Sequence, residues 1–279
     1  MISETQKRAI LITGCSSGIG HAVAVGLQQR GYRVFATARK PADVARLGSL
    51  GLESLPLDLT DSASIRAAIE TVLDRTGGRL YGLFNNGGYG QPGAVEDLSR
   101  QAVREQFETN LFGWMELTNL VLPVMRRQGE GRIIQNSSIL GFIALKYRGA
   151  YNASKFAVEG WSDTLRLELW GSNIFVSLVE PGPIESRFRP NAYEKFKKHI
   201  NASASIHRET YARMEQRFQT EGPVQPFTLP PQAVLKKVIH ALESSKPRAR
   251  YPVTFPSHLF AWLKRILPAA WLDRLLVKI

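Results

Sequence analysis

The chain has 279 residues, of which 44% are apolar and 22% charged, with a net charge of +12 and one cysteine, Cys15. That size and composition suit one globular domain with a substantial core, the lone cysteine excludes an intrachain disulfide, and no run of 18 apolar residues marks a spanning helix. The amino terminus MISETQKRAI lacks the apolar stretch of a secretory signal, so the expected compartment is the cytoplasm.

Along the chain, short apolar runs bounded by Gly, Pro and Asn alternate with segments of helical period. This predicts strand, helix, strand units and a doubly wound parallel α/β sheet. Strands are expected at 9–13, 32–38, 52–58, 80–85, 132–138, 174–180 and 250–255, each apolar enough to be covered on both faces. Helices are expected at 18–30, 61–75, 99–127, 152–170 and 231–243, the second capped by Thr60 or Asp61. The polar, weakly helical segment 190–221 interrupts the alternation; because such sheets bind ligands at the carboxyl ends of their strands, it reads as a lid over that end. The division is then one domain over 1–255 with a basic tail over 256–279.

The stretch TGCSSGIG, Thr13 to Gly20, joins the first strand to the first helix. Gly14 permits a tight turn, and Gly18 and Gly20 let the backbone approach a pyrophosphate. Ser16, Ser17 and Ile19 place their amides at the helix amino terminus, where the dipole favours an anion. A dinucleotide site of the NAD type would carry an acid near the end of strand two, whereas an arginine there accommodates a 2′-phosphate. From Thr5 to Ala42 there is no acid; Ala38 stands at the expected place and Arg39 and Lys40 follow it, which points to NADP(H).

A tyrosine stands four residues before a lysine twice, at Tyr151 and Lys155 and at Tyr193 and Lys197. Lysine on the same helical face stabilises a phenolate and lowers the tyrosine pKa from about 10, which would suit acid–base chemistry. Spacing alone does not choose between the two pairs.

The GxxxGxG spacing together with YNASK resembles the short-chain dehydrogenase/reductase family over residues 9 to about 255. Further motifs of that family follow in order: LDLTD with Asp58, NNGG at 85–88, Asn110 in ETNLFG, NSS at 136–138 and PGPIES at 181–186. The resemblance implies a Rossmann-type single domain, oxidoreductase activity and a tetrad of Asn110, Ser138, Tyr151 and Lys155. Ser138 lies 13 residues before Tyr151 and Asn110 lies 41 before it; Tyr193 has Glu180 at the first of those offsets and is the decoy.

In the roles so implied, Tyr151 gives the proton to a carbonyl, Lys155 holds the nicotinamide ribose, and Ser138 bonds the substrate oxygen. Ser137 remains an alternative for the serine, since neighbouring strand positions face opposite ways. Asn110 either holds a water that links Lys155 to solvent or satisfies helix backbone. Asp58 is expected at the adenine and Asn85 at the adenosine. Pro181, Gly182 and Ile184 are expected along the nicotinamide, with Ser186 at its carboxamide. Gly87 and Ser186 replace the family's usual alanine and threonine; Gly87 is expected to loosen its loop.

For substrate, Phe188, Tyr193, Phe196, Ile200, Tyr211, Met214 and Phe218 in and beside the lid either line a lipophilic pocket or only pack the lid down. The motif combination looks most like the branch of steroid, retinol and long-chain aldehyde reductases. It implies NADP(H)-dependent interconversion of a lipophilic aldehyde or ketone with its alcohol, reduction favoured. The alternative, a silent NADP(H)-binding regulator or membrane scaffold, has no need of an intact tetrad. Cys15 is either a redox-sensitive thiol or a small packing residue. The five histidines, at 21, 199, 207, 240 and 258, form no metal-like cluster, and no nucleic-acid motif accompanies the positive charge.

Half of that charge lies in residues 246–279, where seven cations face only Asp273. The tail is amphipathic and Pro268 should break it in two. It is expected to pack on the core or on another subunit of a dimer or tetramer, or to lie peripherally on an anionic membrane.

Overall fold

The computed structural model describes residues 8–220, 222 and 225–279. The first seven residues of the expected domain and the last lid residue, Glu221, lie outside the described residues. The remainder forms one parallel sheet of seven strands flanked by helices.

In chain order the strands are β1 (Ala9–Ile12), β2 (Arg33–Ala38), β3 (Glu53–Pro56), β4 (Gly82–Asn85), β5 (Gly131–Asn136), β6 (Ile174–Glu180) and β7 (Arg250–Pro252). They lie in the spatial order β3-β2-β1-β4-β5-β6-β7, with every neighbouring pair parallel. The order reverses between β1 and β4, and the crevice at that switch point, beyond the strands' carboxyl ends, is where ligands of such sheets bind.

Both sheet faces are covered, which is why the central strands read as unbroken apolar runs. On one face α1 (Gly18–Gln29), α2 (Pro41–Ser49) and α9 (Gln232–Glu243) bury Val23, Leu27, Leu47, Val234 and Val238 against Ile10, Ile12 and Ala36. On the other, α3 (Ser62–Thr76), α5 (Gly113–Gln128) and α6 (Gly149–Glu168) bury Ile65, Trp114, Val121, Val158 and Leu165 against Leu11, Leu83 and Ile133. Asp61 rather than Thr60 caps α3, its carboxylate accepting from the Ala63 amide at 2.9 Å.

Three segments differ from the sequence expectation. Helix α2 was not expected; it is only nine residues long and buries only Leu47. The run expected as one helix over 99–127 is α4 (Arg100–Phe107), a π turn (Glu108–Phe112) and α5. The segment expected as a lid is two formed helices, α7 (Phe188–His199) and α8 (Arg208–Gln219), joined by a short 3₁₀ turn. The tail is broken at Pro268 as expected, into α10 (Phe255–Ile266) and α11 (Ala269–Leu276), and one side of it packs on the core. No helix among the described residues is long and apolar enough to cross a membrane.

Candidate active site at the carboxyl ends of the strands

The turn from β1 into α1 is built so tightly that Gly14, Gly18 and Gly20 each leave no room for a side chain, Gly20 because a Cβ would collide with the Gly14 carbonyl oxygen. Gly14 has φ +71° and a Cβ there would stand 2.6 Å from the Cα of Gly87; Gly18 has φ +57° and a Cβ would stand 2.9 Å from the Ser186 Cβ. The first amides of α1 have no intrahelical acceptor, and the Ser17 side chain at the amino cap makes no capping bond, so Ser16, Ser17, Ile19 and Gly20 border a cradle suited to a phosphate. Cys15 lies beneath it, fully buried, donating to the Ile12 carbonyl at 3.3 Å; burial pushes its thiol up to about 12, so it is a packing residue.

The loop after β4 closes the cradle from the other side. Thr13 Oγ1 accepts from the Asn86 and Gly87 amides at 2.9 and 2.8 Å, and Asn86 Nδ2 donates to the Thr13 carbonyl at 2.9 Å. Trp114 Nε1 donates to the Gly87 carbonyl at 2.8 Å. Gly87 therefore does not loosen this loop, contrary to expectation, because neighbours hold both its amide and its carbonyl. Asn85 also departs from expectation. Its side chain is sealed below the sheet end, donating to Thr118 Oγ1 at 3.1 Å, and the asparagine that reaches the glycine loop is Asn86.

Arg39 and Lys40 are exposed just beyond β2, and neither side chain has a hydrogen-bond or ion-pair partner among the described residues. The sequence reading missed Arg46, which sits on α2 and donates to the Ser16 carbonyl as well as to Asp43 at 3.1 Å. Its signal was hidden by the missed helix. Asp58 is half-buried, one carboxylate oxygen accepting from the Thr60 amide and hydroxyl at 3.0 and 2.8 Å. Pro181 accepts from the Ile139 amide at 2.8 Å, Gly182 lies against Thr254 and Ser257, and Ile184 pairs with Leu229. Ser186 folds over Gly18 and accepts from the Phe188 amide at 3.3 Å, so segment 181–186 forms the opposite wall.

At the centre of the crevice, α6 presents Tyr151 and Lys155 one turn apart, both buried. Ser138 begins the short turn after β5, its hydroxyl accepting from the Leu140 amide at 3.1 Å and facing the Tyr151 phenol. Ser137 faces the other way, against Gly141 and Glu159, and does not meet Tyr151. Lys155 Nζ donates to the Asn136 carbonyl at 2.8 Å, lies 4.2 Å over the Trp114 ring and 5.8 Å from the centre of the Tyr151 ring.

Burial dominates the titration of both groups. It pushes the Tyr151 phenol up to about 12, against the lowering contact with Ser138. It pulls Lys155 down to about 7, against the raising effect of Glu159 one turn further along α6. The expected depression of the tyrosine by its lysine is not found: burial raises the phenol, the Ser138 contact alone opposes it, and the phenol is protonated at neutral pH. Behind Lys155 lies a charge cluster that the sequence did not reveal, with Arg250 Nη2 3.2 Å from Glu159 and 2.6 Å from Asp163, and its Nε 3.2 Å from Glu180.

Asn110 is buried in the π turn, but its side chain is engaged elsewhere. Its Oδ1 accepts from the Tyr89 amide at 3.1 Å and its Nδ2 donates to the Tyr89 carbonyl at 2.8 Å. Of the lid aromatics, only Phe188 reaches the centre, edge-on to Tyr151 with ring centres 5.3 Å apart. Phe196, Ile200, Tyr211 and Phe218, with Tyr193 and Met214 beside them, pack into a cluster of their own with Ala94 and Leu98. The two lid helices bury these faces against each other, so they do not line a pocket. Apolar side chains beside Tyr151 come instead from Leu140 and Ile143 and from Phe260 and Leu276 of the tail. No group of three or more His, Cys, Asp or Glu among the described residues is arranged to hold a metal.

A family model described as short chain dehydrogenase matches residues 8–197. The chain belongs to the short-chain dehydrogenase/reductase family. It is 42% identical over 276 residues to the uncharacterized oxidoreductase YbbO of Escherichia coli K12, covering 99% of this chain and 96% of that protein. It is 34% identical over 288 residues to the 17-beta-hydroxysteroid dehydrogenase type 6 of Mus musculus, covering 99% and 90%. Among solved structures, a short-chain dehydrogenase from Streptomyces avermitilis superposes with a TM-score of 0.76 at 28% identity, covering 93% of this chain and 94% of that one. The protein is thus an oxidoreductase acting on CH–OH groups, on a fold that binds nicotinamide cofactors.

Proposed function

We propose that this family member is an NADP(H)-dependent reductase of lipophilic aldehydes or ketones. The observation that carries the reading is the buried, protonated Tyr151 phenol facing Ser138, walled by Leu140, Ile143, Phe188 and Phe260. A bound nicotinamide, in its reduced form, supplies the hydride that goes to the carbonyl carbon. The Tyr151 hydroxyl gives its proton to the carbonyl oxygen, and the Ser138 hydroxyl holds that oxygen as its charge develops. Lys155, titrating near neutrality and close to the phenol, stabilises the phenolate left behind. Asn110 is held by Tyr89 and also donates its Nδ2 to Ser154 Oγ, the residue before Lys155 on α6, at 3.4 Å, and so ties the loop over this centre to that helix. The relative acting on 17-beta-hydroxysteroids supports an apolar substrate.

The residues fit the phosphorylated dinucleotide: Gly14, Gly18 and Gly20 form the pyrophosphate cradle, Arg39 and Lys40 offer uncommitted cations at the β2 end, and Asp58, Pro181, Gly182, Ile184 and Ser186 border the rest. Arg39→Ala should reduce the preference for NADPH over NADH by roughly ten- to hundredfold, as loss of a charge-assisted bond of about 1.5–3 kcal/mol predicts. Equal affinity of the parent protein for the two cofactors would sink the assignment. The exposed apolar line of Phe156, Leu167 and Trp170 along and just past α6 is our choice for a homo-oligomer contact.

The test is NADPH consumption across short and long aldehydes, ketosteroids and retinal. Turnover that rises with chain length supports the reading. Tight NADPH binding with no turnover on any of them returns the choice to the silent regulator.

A further inference from the structure

Helices α10 and α11 each have two apolar faces, and only one of them is satisfied. The inner face buries Phe260 and Leu276 among Leu140, Ile143 and Tyr151, with Leu263 and Leu272 packed beside them. Lys146 Nζ pins the end of the tail by donating to the Val277 carbonyl at 2.7 Å. The outer face leaves Trp262, Ile266, Trp271, Leu275, Val277 and Ile279 exposed, the two tryptophans at 59% and 62%. Trp262 and Ile266 are four residues apart, as are Trp271 and Leu275, so each helix shows one continuous outward stripe. The inner contacts fix these helices, so the stripes have no room to turn into the core.

Beside the stripes stand the exposed cations Arg265, Arg274 and Lys278, none of which makes an ion pair among the described residues, while Lys264 points away from them and lies 5.0 Å over the Phe156 ring of α6. Asp273 is the only acid from residue 256 to the end. We propose that this outer face docks on an anionic lipid bilayer, with the tryptophans and aliphatic side chains entering the headgroup boundary and Arg265, Arg274 and Lys278 meeting lipid phosphates. Neither helix is long enough to span, so the protein lies on the surface.

Charge decides against a second copy of this chain as the occupant. A two-fold pairing of the face sets like against like, opposing three cations with three and offering only Asp273 from each side to offset them. A bilayer containing phosphatidylglycerol supplies the missing negative charge across the whole face. Because the inner face of the same helices touches Tyr151, docking also brings the wall of the active site next to the lipid. That last point rests on the proposed reduction of lipophilic carbonyls; the docking itself does not.

The experiment is co-flotation of the full chain with vesicles of phosphatidylglycerol and phosphatidylcholine, against vesicles of phosphatidylcholine alone. The parent should float with the anionic vesicles, be released by high salt, and show blue-shifted tryptophan emission. Trp262→Gln with Trp271→Gln should abolish flotation while melting temperature and NADPH affinity stay at parent values, since neither side chain touches the core or the cofactor cradle. Absence of flotation by the parent overturns the proposal, as does a doubly substituted protein that floats equally well. Loss of a dimer on substitution, without vesicle binding by the parent, assigns the face to a second copy and also overturns it. Flotation without turnover on any carbonyl would instead count against the reductase reading alone.

Discussion

Helices α6 and α7 carry the same tyrosine–lysine spacing and share almost nothing else. On α6, Tyr151 and Lys155 are 8% and 4% exposed, the phenol faces Ser138 and the ammonium donates to the Asn136 carbonyl. On α7, Tyr193 stacks on Phe218 with ring centres 5.4 Å apart, while Lys197 lies exposed 4.7 Å over that tyrosine and pairs with Glu194 at 2.9 Å. The two lysines are shifted in opposite directions. Burial pulls Lys155 down to about 7, whereas the Glu194 carboxylate raises Lys197 from its ordinary value. An identical covalent pattern thus becomes a buried, hydrogen-bonded pair beside Ser138 in one place, to which we assign proton transfer, and an exposed surface pair in the other, and the surroundings make the difference.

The largest expected effect tests that contrast directly. Tyr151→Phe removes the proposed proton donor and leaves the ring that packs against Phe188, so turnover should fall by about 10²–10⁴-fold with NADPH binding retained. Tyr193→Phe deletes only a hydroxyl that accepts from Gln219 at 3.1 Å, and its turnover should match the parent. Steady-state kinetics and fluorescence titration of NADPH on both variants check this; a large loss in Tyr193→Phe would erase the distinction.

A smaller effect should separate the carboxylates that accompany the two lysines. Glu159 raises Lys155 against the stronger lowering by burial, and the other groups around that ammonium, Trp114, Tyr151 and the Asn136 carbonyl, carry no full charge. Glu159→Gln should therefore lower the Lys155 pKa further, and the limb of the kcat/KM profile on which activity falls with rising pH should move to lower pH. Glu194→Gln should leave the profile in place. The same shift has a linkage consequence. Lys155 titrates at about 7 in the folded protein against an ordinary value of 10.5, so folding disfavours its charged form. The cost is fully present below about 7 and fades as pH rises toward 10.5, so this group makes the fold more stable toward high pH. A profile unmoved in Glu159→Gln would mean that Arg250, which stands 3.2 Å from that carboxylate, already cancels its charge.

How much of this was legible in the sequence follows the same division. All seven strands were: the central ones are buried on both faces and so leave apolar runs bounded by breakers, and the partly covered edge strands β3 and β7 continue the alternation with helices. The glycine cradle was, since Gly14 and Gly18 occupy backbone conformations that other residues rarely adopt. Helix α2 was not, having a single buried side chain, nor was the π turn, whose residues Glu108 to Phe112 differ in hydrogen bonding and not in periodicity. The aromatics of the lid announced an apolar surface without naming its partner, and that surface went to the lid's own interior. Asn86 and Glu159 were invisible because each acts through contacts across elements, with Thr13 and Arg250, that no local pattern records, and Arg46 because the helix that carries it was missed.

The smallest effect completes the comparison. Lys197 and Glu194 are three residues apart on the outside of α7, with side chains 47% and 72% exposed, so water and salt screen their attraction and ordering two long side chains offsets what remains. Substituting both, Glu194→Gln with Lys197→Ala, should shift the melting temperature by less than about 2 °C and leave kcat/KM unchanged. Raising the salt concentration should not enlarge the difference, since the pair is already screened. A fall of several degrees confined to low salt would instead show the pair helping to hold α7. That outcome would not touch the assignment of Tyr151 and Lys155, because the lid is also tied to the domain by Glu105, which meets Lys198 at 2.9 Å and His199 at 3.1 Å.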